Sequence, residues 1–380
     1  MNSIPPLDLT RQYETIRDRV NTAVLDILAS GRYIGGSAVD CFEERFAAYI
    51  GVPEAVSCNS GTDALFLALR ASDIGPGDRV ITTAFSFIAT SEVITAVGAT
   101  PVFVDIDPET FNLDLDQVEA AVTPETRAIV PVHLFGRPVD MTRLMAIARK
   151  HNLVVIEDCA QATGATWEGK KVGSFGHFGC FSFFPTKNLG ACGDGGAVTT
   201  SDPTLAEKIQ VLKNHGQTGR YNSEVLGINS RLDAVQAAIL TIKLDYLDRW
   251  NERRRAIATR YGQLLEAVPG IVPPRDCAGG RSVWNQYTIR VGGGDSDSSR
   301  RDRLREDLQK RGVSTMVYYP IPLHRQGIHR DLGYQTGQLP VAEQIGDRVL
   351  SLPLFPELSE EQQDRVIYSL KDCLKAVAIG

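Results

Sequence analysis

Short apolar runs rich in β-branched residues alternate with amphipathic segments through the first half of the chain. The runs that read as strands are "EAVSC", "DRVIT", "TPVFVDI", "TRAIVPVH" and "NLVVIED". The segments between them carry apolar residues at three-to-four spacing, which is typical of helices packed on a core. Strands that alternate with helices in this way predict an α/β fold, with a mainly parallel central sheet flanked by helices.

Two further apolar runs, "FGCFSFF" and "GGAVTT", follow with no full helix between them. Parallel neighbours need a crossover of a dozen or more residues, usually a helix, whereas antiparallel neighbours do not. We therefore predict a local antiparallel pair within the otherwise parallel sheet.

The chain has 380 residues, a length that favours a large domain joined to a smaller one. A long helical segment begins near Arg231 and suits a bridge between the two. The last third mixes short strands and helices. We predict a large ligand-binding α/β domain with N-terminal helices over residues 1–250, and a small C-terminal α+β domain over residues 251–380.

Charge and cysteine usage exclude several classes of function. The net charge is −6 and no basic run occurs, which argues against a nucleic-acid partner. No window approaches the roughly 18 apolar residues of a membrane span, and the N-terminal stretch carries no apolar leader. The 7 cysteines form no CxxC pairs, which argues for a reducing compartment and against a zinc site. We expect a cytoplasmic protein with no metal.

Residues 58–65, "CNSGTDAL", lie between a predicted strand and a predicted helix. Gly61 permits close backbone approach, and the amides of Gly61 and Thr62 open the helix, where free N–H groups bind phosphate. Taken alone, the segment is better explained as an ordinary helix start that Ser60 or Thr62 caps.

Residues 154–165, "VVIEDCAQATGA", place Glu157 and Asp158 at the end of an apolar strand. A buried carboxylate needs a partner, because burying an unpaired charge is costly. That partner is either a ligand at the carboxyl end of the sheet or a structural salt bridge or cap.

Residues 181–196, "FSFFPTKNLGACGDGG", hold a lysine between an aromatic run and a glycine-rich run. Apolar surroundings lower the pKa of a lysine and make its amine nucleophilic. The alternative for Lys187 is a stem that packs while its amine reaches water, and an isolated lysine would favour it.

The three segments together favour a cofactor site. Pyridoxal 5′-phosphate (PLP) requires a lysine for a Schiff base, a carboxylate at the pyridine nitrogen and a cradle for phosphate. Lys187, Asp158 and the helix start at Gly61 supply these groups. Their order along the chain matches the fold-type I group of PLP-dependent transferases.

The chain resembles the DegT/DnrJ/EryC1/StrS sugar aminotransferases over nearly its whole length. The segments that carry the resemblance are "GTDALFLAL", "GPGDRVIT", "PVFVDIDPETFNLD", "EDCAQATGA", "SFFPTKNLGACGDGG", "GINSRLDAVQAAIL", "YYPIPLH" and "SLPLFPELSEEQ". The resemblance implies that Lys187 is the Schiff-base lysine and proton shuttle, that Asp158 pairs with the pyridine nitrogen, and that Gln161 contacts the ring hydroxyl. Family members with histidine at the lysine position are dehydratases, so Lys187 favours transamination.

The resemblance also implies the rest of the cofactor site. Ser182 would hold the phosphate with the Gly61 and Thr62 amides. Asn229 would reach the phosphate of a neighbouring subunit, which implies a homodimer with shared active sites. Phe87 occupies the position of the ring-stacking aromatic, although core packing on a helix is an open alternative.

Four residues are candidates for substrate contact. Arg231 could bind a carboxylate or phosphate, or be a solvated arginine at a helix start. Tyr318 replaces the histidine that many members have in "HYP", at a position that resembles part of the family's sugar pocket. Tyr319 and His324 are candidates for sugar contact, with packing as an equal alternative.

The resemblance implies a PLP-dependent aminotransferase that converts a nucleotide-diphosphate keto sugar to the amino sugar, with glutamate as donor and 2-oxoglutarate as its product. The segments "NHGQ", "GINSRLDAVQAAIL" and "YPIPL" look most like members that act on 3-keto sugars. A 4-keto sugar or cyclitol aminotransferase is the alternative enzyme. A regulator that binds PLP or a sugar nucleotide without turnover is the alternative outside the enzymes.

Overall fold

A computed structural model describes residues 3–292 and 298–377. The helices are α1 (Leu9–Ser30), α2 (Ser37–Ile50), α3 (Gly61–Ala71), α4 (Ala89–Ala96), α5 (Leu115–Val118), α6 (Met141–His151), α7 (Pro203–Leu212), α8 (Ala234–Leu265), α9 (Ser299–Lys310), α10 (Pro340–Arg348) and α11 (Glu360–Val377). The strands are β1 (Glu54–Cys58), β2 (Arg79–Thr83), β3 (Thr100–Val104), β4 (Thr126–Val130), β5 (Val154–Asp158), β6 (Thr166–Trp167), β7 (Lys170–Lys171), β8 (Phe178–Ser182), β9 (Gly196–Thr200), β10 (Gln217–Gly219), β11 (Asn222–Ser223), β12 (Ile271–Val272), β13 (Gly280–Arg281), β14 (Tyr287–Val291) and β15 (Val349–Leu352).

The central sheet has 7 strands in the order β1-β9-β8-β5-β4-β2-β3. Strands β8, β5, β4, β2 and β3 pair in parallel. Strand β9 is antiparallel to both of its neighbours, β8 and β1. The predicted α/β class and the predicted antiparallel pair are confirmed.

Both faces of the central sheet are buried, which explains why its strands read as continuous apolar runs. Successive strand residues point to opposite faces. Val80 and Ile156 pack with α3, α4 and α7 on one face. Ile81 and Val155 pack with α6 on the other. The helices therefore hold the strand ends in place from both sides.

The last third of the chain builds a second, smaller core. A three-stranded sheet in the order β12-β14-β15 packs with α9 and α11. Helix α8 crosses the predicted boundary at residue 250 and contributes Ile257 and Tyr261 to this core, and the N-terminal Ile4 packs there as well. The division into residues 1–250 and 251–380 stays a prediction.

Helices in the described residues are all too short or too polar to cross a bilayer. All 7 cysteines are free thiols. The cytoplasmic location stays a prediction.

Candidate active site

Three strand ends bring the predicted site residues to one edge of the central sheet. Strands β5 and β8 are parallel, so Asp158 and Ser182 end them at the same edge. Strand β1 is antiparallel to β9, which is antiparallel to β8, so β1 also ends there, next to Gly61. This edge is where open α/β sheets bind ligands.

The start of α3 forms a cradle with the end of β8. The Ser60 hydroxyl caps the helix by accepting from the Asp63 N–H at 3.1 Å. The first N–H groups of a helix have no intrahelical acceptor, so those of Gly61 and Thr62 remain to bind an anion. A Cβ added at Gly61 would lie 2.6 Å from the Ser182 Cβ, so only glycine lets the helix start approach Ser182 this closely.

Replacing Gly61 with alanine should lower the free energy of unfolding of the PLP-free protein by about 1–3 kcal/mol, because the new methyl group overpacks against Ser182. Urea unfolding measures this change. Gly75→Ala is the matched control, since a Cβ there meets its nearest atom at an ordinary 3.6 Å. Equal stability of the two variants would contradict the close approach.

Asp158 ends β5 as a buried carboxylate with few partners. Its Oδ2 accepts from the Thr90 hydroxyl at 2.8 Å, and its Oδ1 accepts from the Ala160 N–H at 3.1 Å. Burial raises the pKa of Asp158, while these hydrogen bonds and the charge of Lys187 oppose that rise. The carboxylate therefore favours a further cation at this position.

The neighbouring Glu157 has a different environment, although the two acids are adjacent in sequence. Its two oxygens accept from the N–H groups of Gly173, Phe175 and Gly176, each at 2.8 Å. His133 lies 3.1 Å away through Nε2, and its Nδ1 accepts from a backbone amide. Glu157 is therefore a structural anchor, the alternative that the sequence left open.

The residues His133, Glu157 and Cys159 also form a cluster with metal-ligand spacing. Both ring nitrogens of His133 and both oxygens of Glu157 already have protein partners. Burial raises the pKa of the Cys159 thiol, which opposes the thiolate that a metal requires. The cluster is better described as buried packing.

Lys187 lies in a tight turn after β8. Its N–H donates to the Phe184 carbonyl at 2.9 Å. A Cβ added at Gly190 would lie 2.4 Å from the Pro185 carbonyl oxygen, so the turn requires glycine there. Burial lowers the pKa of the Lys187 amine to about 8, and the nearby Asp158 charge limits the decrease. The amine is therefore partly neutral near neutral pH.

In PLP-free protein, modification of Lys187 by a small amine-directed reagent should have its midpoint near pH 8. The rate should rise about tenfold per pH unit below the midpoint, because only the neutral amine reacts. Asp158→Asn should move the midpoint to lower pH, since the Asp158 charge raises the Lys187 pKa. Peptide mapping by mass spectrometry measures both, with exposed Lys150 as control. A midpoint near the value of ~10.4 for peptide lysine would contradict a buried amine.

Gln161 and two aromatic residues form the wall beside Asp158 and Lys187. The Gln161 Oε1 accepts from the Phe135 N–H at 2.6 Å, and its Nε2 donates to the Tyr319 hydroxyl at 2.9 Å. Phe87 lies 6.1 Å from Tyr319 between ring centroids. The amide group is thus oriented across the site by one partner on each side.

Phe87 was expected either to stack on a cofactor or to pack in the core of a helix. Helix α4 begins at Ala89, so Phe87 lies in the preceding turn, and 54% of the residue is exposed. Ser86 therefore also precedes the helix, and its side chain is buried. Core packing is therefore wrong, and ring stacking stays a prediction.

Not all of the other predicted site residues lie beside Lys187. His324 is buried beside Tyr334, where its Nε2 lies 3.1 Å from a Glu343 carboxylate oxygen and burial lowers its pKa. This placement matches the packing alternative for His324. Tyr318 is half-buried and lines a cavity of about 620 Å³ that Thr186 also lines. Arg231 is half-buried and Asn229 is exposed, so their roles in a dimer stay predictions.

Thr90 is a site residue that the sequence reasoning missed. It bonds Asp158 across 68 sequence positions. The available signal was the i, i+4 pair of hydroxyls, Ser86 and Thr90, in an otherwise apolar segment.

The arrangement fits PLP. A helix start has free N–H groups beside a hydroxyl, and a glycine leaves the space that a Cβ would fill. A buried carboxylate has two hydrogen bonds and no bonded cation among residues 3–292 and 298–377. The amine of Lys187 has a lowered pKa. Phosphate, ring nitrogen and aldehyde of PLP each find a matching group.

Comparisons with known proteins agree with this fit. The DegT/DnrJ/EryC1/StrS aminotransferase family matches residues 14–371. A "pleiotropic regulatory protein" of Geobacillus stearothermophilus is 50% identical over 97% of this chain and 98% of that protein. UDP-N-acetyl-3-dehydro-α-D-glucosamine 3-aminotransferase of Acidithiobacillus ferrooxidans is 47% identical over 96% of each.

Solved structures also match nearly the whole chain. DesV of S. venezuelae, in complex with a ketimine intermediate, superposes with a TM-score of 0.94 at 44% identity over 98% of both chains. Other matching aminotransferase structures contain PLP or its amine form, PMP.

Proposed function

This chain belongs to the DegT/DnrJ/EryC1/StrS aminotransferase family as a PLP-dependent sugar aminotransferase, and from that premise we propose its substrate and the roles of its residues. We propose that it transfers an amino group from glutamate to the C3 ketone of a nucleotide-diphosphate sugar. The observation that carries the proposal is the convergence of Lys187 and Asp158 beside the cradle at Gly61. The C3 position is supported by the named activity of the Acidithiobacillus relative.

Lys187 has two roles in the proposal. Its amine attaches PLP, which supplies an electron sink for the carbon that bears the amino group. With PLP bound, the free Lys187 Nζ would take a proton from that carbon and deliver it to the neighbouring carbon of the imine, so that the amine ends the step neutral, as it began. A pKa of about 8 suits this task, because an efficient acid–base group titrates near the working pH.

Asp158 and the cradle orient the cofactor. The Asp158 carboxylate would pair with the ring nitrogen and keep it protonated. The N–H groups of Gly61 and Thr62, with the Ser182 hydroxyl, bind the phosphate dianion at the positive end of α3.

The wall residues orient the ring. The Gln161 Nε2 carries a second N–H beyond the one it donates to Tyr319, and this N–H would donate to the ring hydroxyl oxygen. The exposed ring of Phe87 would stack on the cofactor ring.

Substrate and partner contacts complete the proposal. Tyr318, Tyr319 and Arg231 line the route of the sugar nucleotide. Asn229 is exposed beside Ser230, whose hydroxyl accepts from the Asn59 N–H at 3.1 Å. In a homodimer, Asn229 would contact the phosphate bound by the partner subunit.

The reverse reaction tests this function. The purified enzyme receives 2-oxoglutarate with UDP- or dTDP-linked 3-amino sugars, matched 4-amino sugars and an aminocyclitol, and glutamate formation is measured. We expect the 3-amino sugars to be consumed fastest. Preferential use of a 4-amino sugar or a cyclitol would overturn the C3 assignment.

A regulatory role is the second candidate, because the Geobacillus relative is named a regulatory protein. Sugar-nucleotide binding by calorimetry separates the two roles. Retained binding without turnover of any amino sugar or glutamate would favour the regulator. The complete set of Lys187, Asp158 and Gln161 supports the enzyme.

A further inference from the structure

A buried pair of hydroxyls leads to Asp158. The Ser86 Oγ lies 3.0 Å from the Thr90 Oγ1, and the Thr90 hydroxyl donates to the Asp158 Oδ2 at 2.8 Å. Ser86 is 4%, Thr90 1% and Asp158 5% exposed, so water does not compete for these bonds. Hydrogen bonds to charged groups are strong in such surroundings.

Ser86, Thr90 and Asp158 form a chain of hydrogen bonds. Its proton positions follow from which of the three groups can donate and which can only accept. An ionised carboxylate only accepts hydrogen bonds, so the Thr90 hydroxyl must donate its single proton to Asp158. The Thr90 oxygen can then only accept from Ser86. The chain is therefore directed from the Ser86 hydroxyl through the Thr90 hydroxyl to Asp158, and each bond polarises the next.

The segment that carries the hydroxyls of this hydrogen-bond chain also carries Phe87. Ser86 lies in the turn after β2, Thr90 in the first turn of α4, and Asp158 at the end of β5. Phe87 lies in the same turn as Ser86 and is exposed toward Tyr319. One short segment thus presents an aromatic ring to the site and holds its carboxylate.

Few other groups favour an ionised Asp158. The titratable side chains that face it are Lys187 and His133, with Cys159, Cys180 and Tyr319. His133 is bonded to Glu157, and burial raises the pKa of the two thiols and of Tyr319, which keeps them neutral. Lys187 would be engaged in attaching the cofactor. Among the described residues, the Thr90 hydroxyl and the Ala160 N–H are the groups hydrogen-bonded to the carboxylate, and they would stabilise its negative charge together with the ring nitrogen.

We propose that Thr90, supported by Ser86, is a positioning residue that aims the Asp158 carboxylate at the ring nitrogen of PLP and keeps it ionised. This inference rests on the proposed role of Asp158. Thr90 acts through Asp158 and does not itself touch the substrate.

The test compares Thr90→Val, which is isosteric but lacks the hydroxyl, with Thr90→Ser, which keeps it. Thr95→Val is the matched control, because Thr95 lies exposed on the same helix. Two quantities are measured: the dissociation constant of PLP from reconstituted apoprotein, and the pH profile of kcat.

Thr90→Val should weaken PLP binding about tenfold or more, the loss expected for one hydrogen bond to a charged group. It should also move the acidic limb of the kcat profile to higher pH, because the Thr90 bond lowers the Asp158 pKa. Thr90→Ser should keep both quantities within about twofold of the unaltered enzyme, since the donor is kept. Ser86→Ala should shift the acidic limb in the same direction by less, and it carries the test if Thr90→Val does not fold.

The outcomes separate this inference from the proposed function. If Thr90→Val and Ser86→Ala both match Thr95→Val while Asp158→Asn is impaired, the positioning role is overturned and the function stands. If Asp158→Asn binds PLP and turns over like the unaltered enzyme, the proposed role of Asp158 is overturned, and the inference with it. A lower stability of Thr90→Val without a shift in the pH profile would also overturn it.

Discussion

Lys187→Ala should abolish the visible absorbance of lysine-bound PLP and reduce turnover by at least about 10²–10⁴-fold, the usual contribution of a positioned acid–base group. The variant loses both the covalent attachment and the amine that moves the proton. Absorbance spectra after reconstitution and steady-state glutamate formation measure the two losses.

Two further experiments sharpen the Lys187 prediction. Lys187→Arg keeps a positive charge but stays protonated, so it should fail as Lys187→Ala does. Added methylamine should restore part of the activity of Lys187→Ala, because it supplies a neutral amine in the space of the missing side chain. Lys150→Ala, at an exposed lysine, should behave as the unaltered enzyme. Turnover by Lys187→Ala at the unaltered rate would show that this amine is not the proton carrier.

Asp158→Asn should reduce kcat by about 10²–10³-fold, the size of effect seen when one preorganised electrostatic contact is removed. The amide has nearly the shape of the carboxylate but no charge, so it cannot hold the ring nitrogen of PLP protonated. Rapid-mixing kinetics of each half-reaction measure the loss, and the PLP absorbance shows whether the cofactor still binds.

The adjacent acid provides the control for Asp158. Glu157→Gln removes a charge one residue away, but Glu157 accepts from three backbone N–H groups and does not face the site. We expect this variant to lower the free energy of unfolding by about 1–3 kcal/mol, with a much smaller change in kcat. An Asp158→Asn enzyme as active as Glu157→Gln would contradict the assignment.

The contrast between these two acids shows where sequence reasoning stops. Adjacent strand residues point to opposite faces, so the pattern "VVIED" indicates that only one of the two faces the site edge. It does not say which one. The loop at 173–176, which follows β7, wraps Glu157 and leaves Asp158 for the ligand.

The sequence likewise did not indicate which of the other candidate residues are exposed to the site and which are buried. Phe87 and His324 both lie among mixed polar and apolar residues in the sequence. Phe87 is nevertheless exposed, whereas His324 is buried against Glu343 and Tyr334. Such outcomes depend on elements that pack from distant parts of the chain.

The sequence by itself determined the alternation of strands and helices, the antiparallel strand after β8, and the three loops that carry Gly61, Asp158 and Lys187. These features follow from local periodicity, from glycine positions and from residue type, which a short window contains. Only the tertiary structure decided that the three strand ends share one edge, because β1 reaches β8 through the intervening β9. It also decided that Thr90 bonds Asp158, since a contact between residues 68 positions apart depends on how helices and strands pack, which no local pattern encodes.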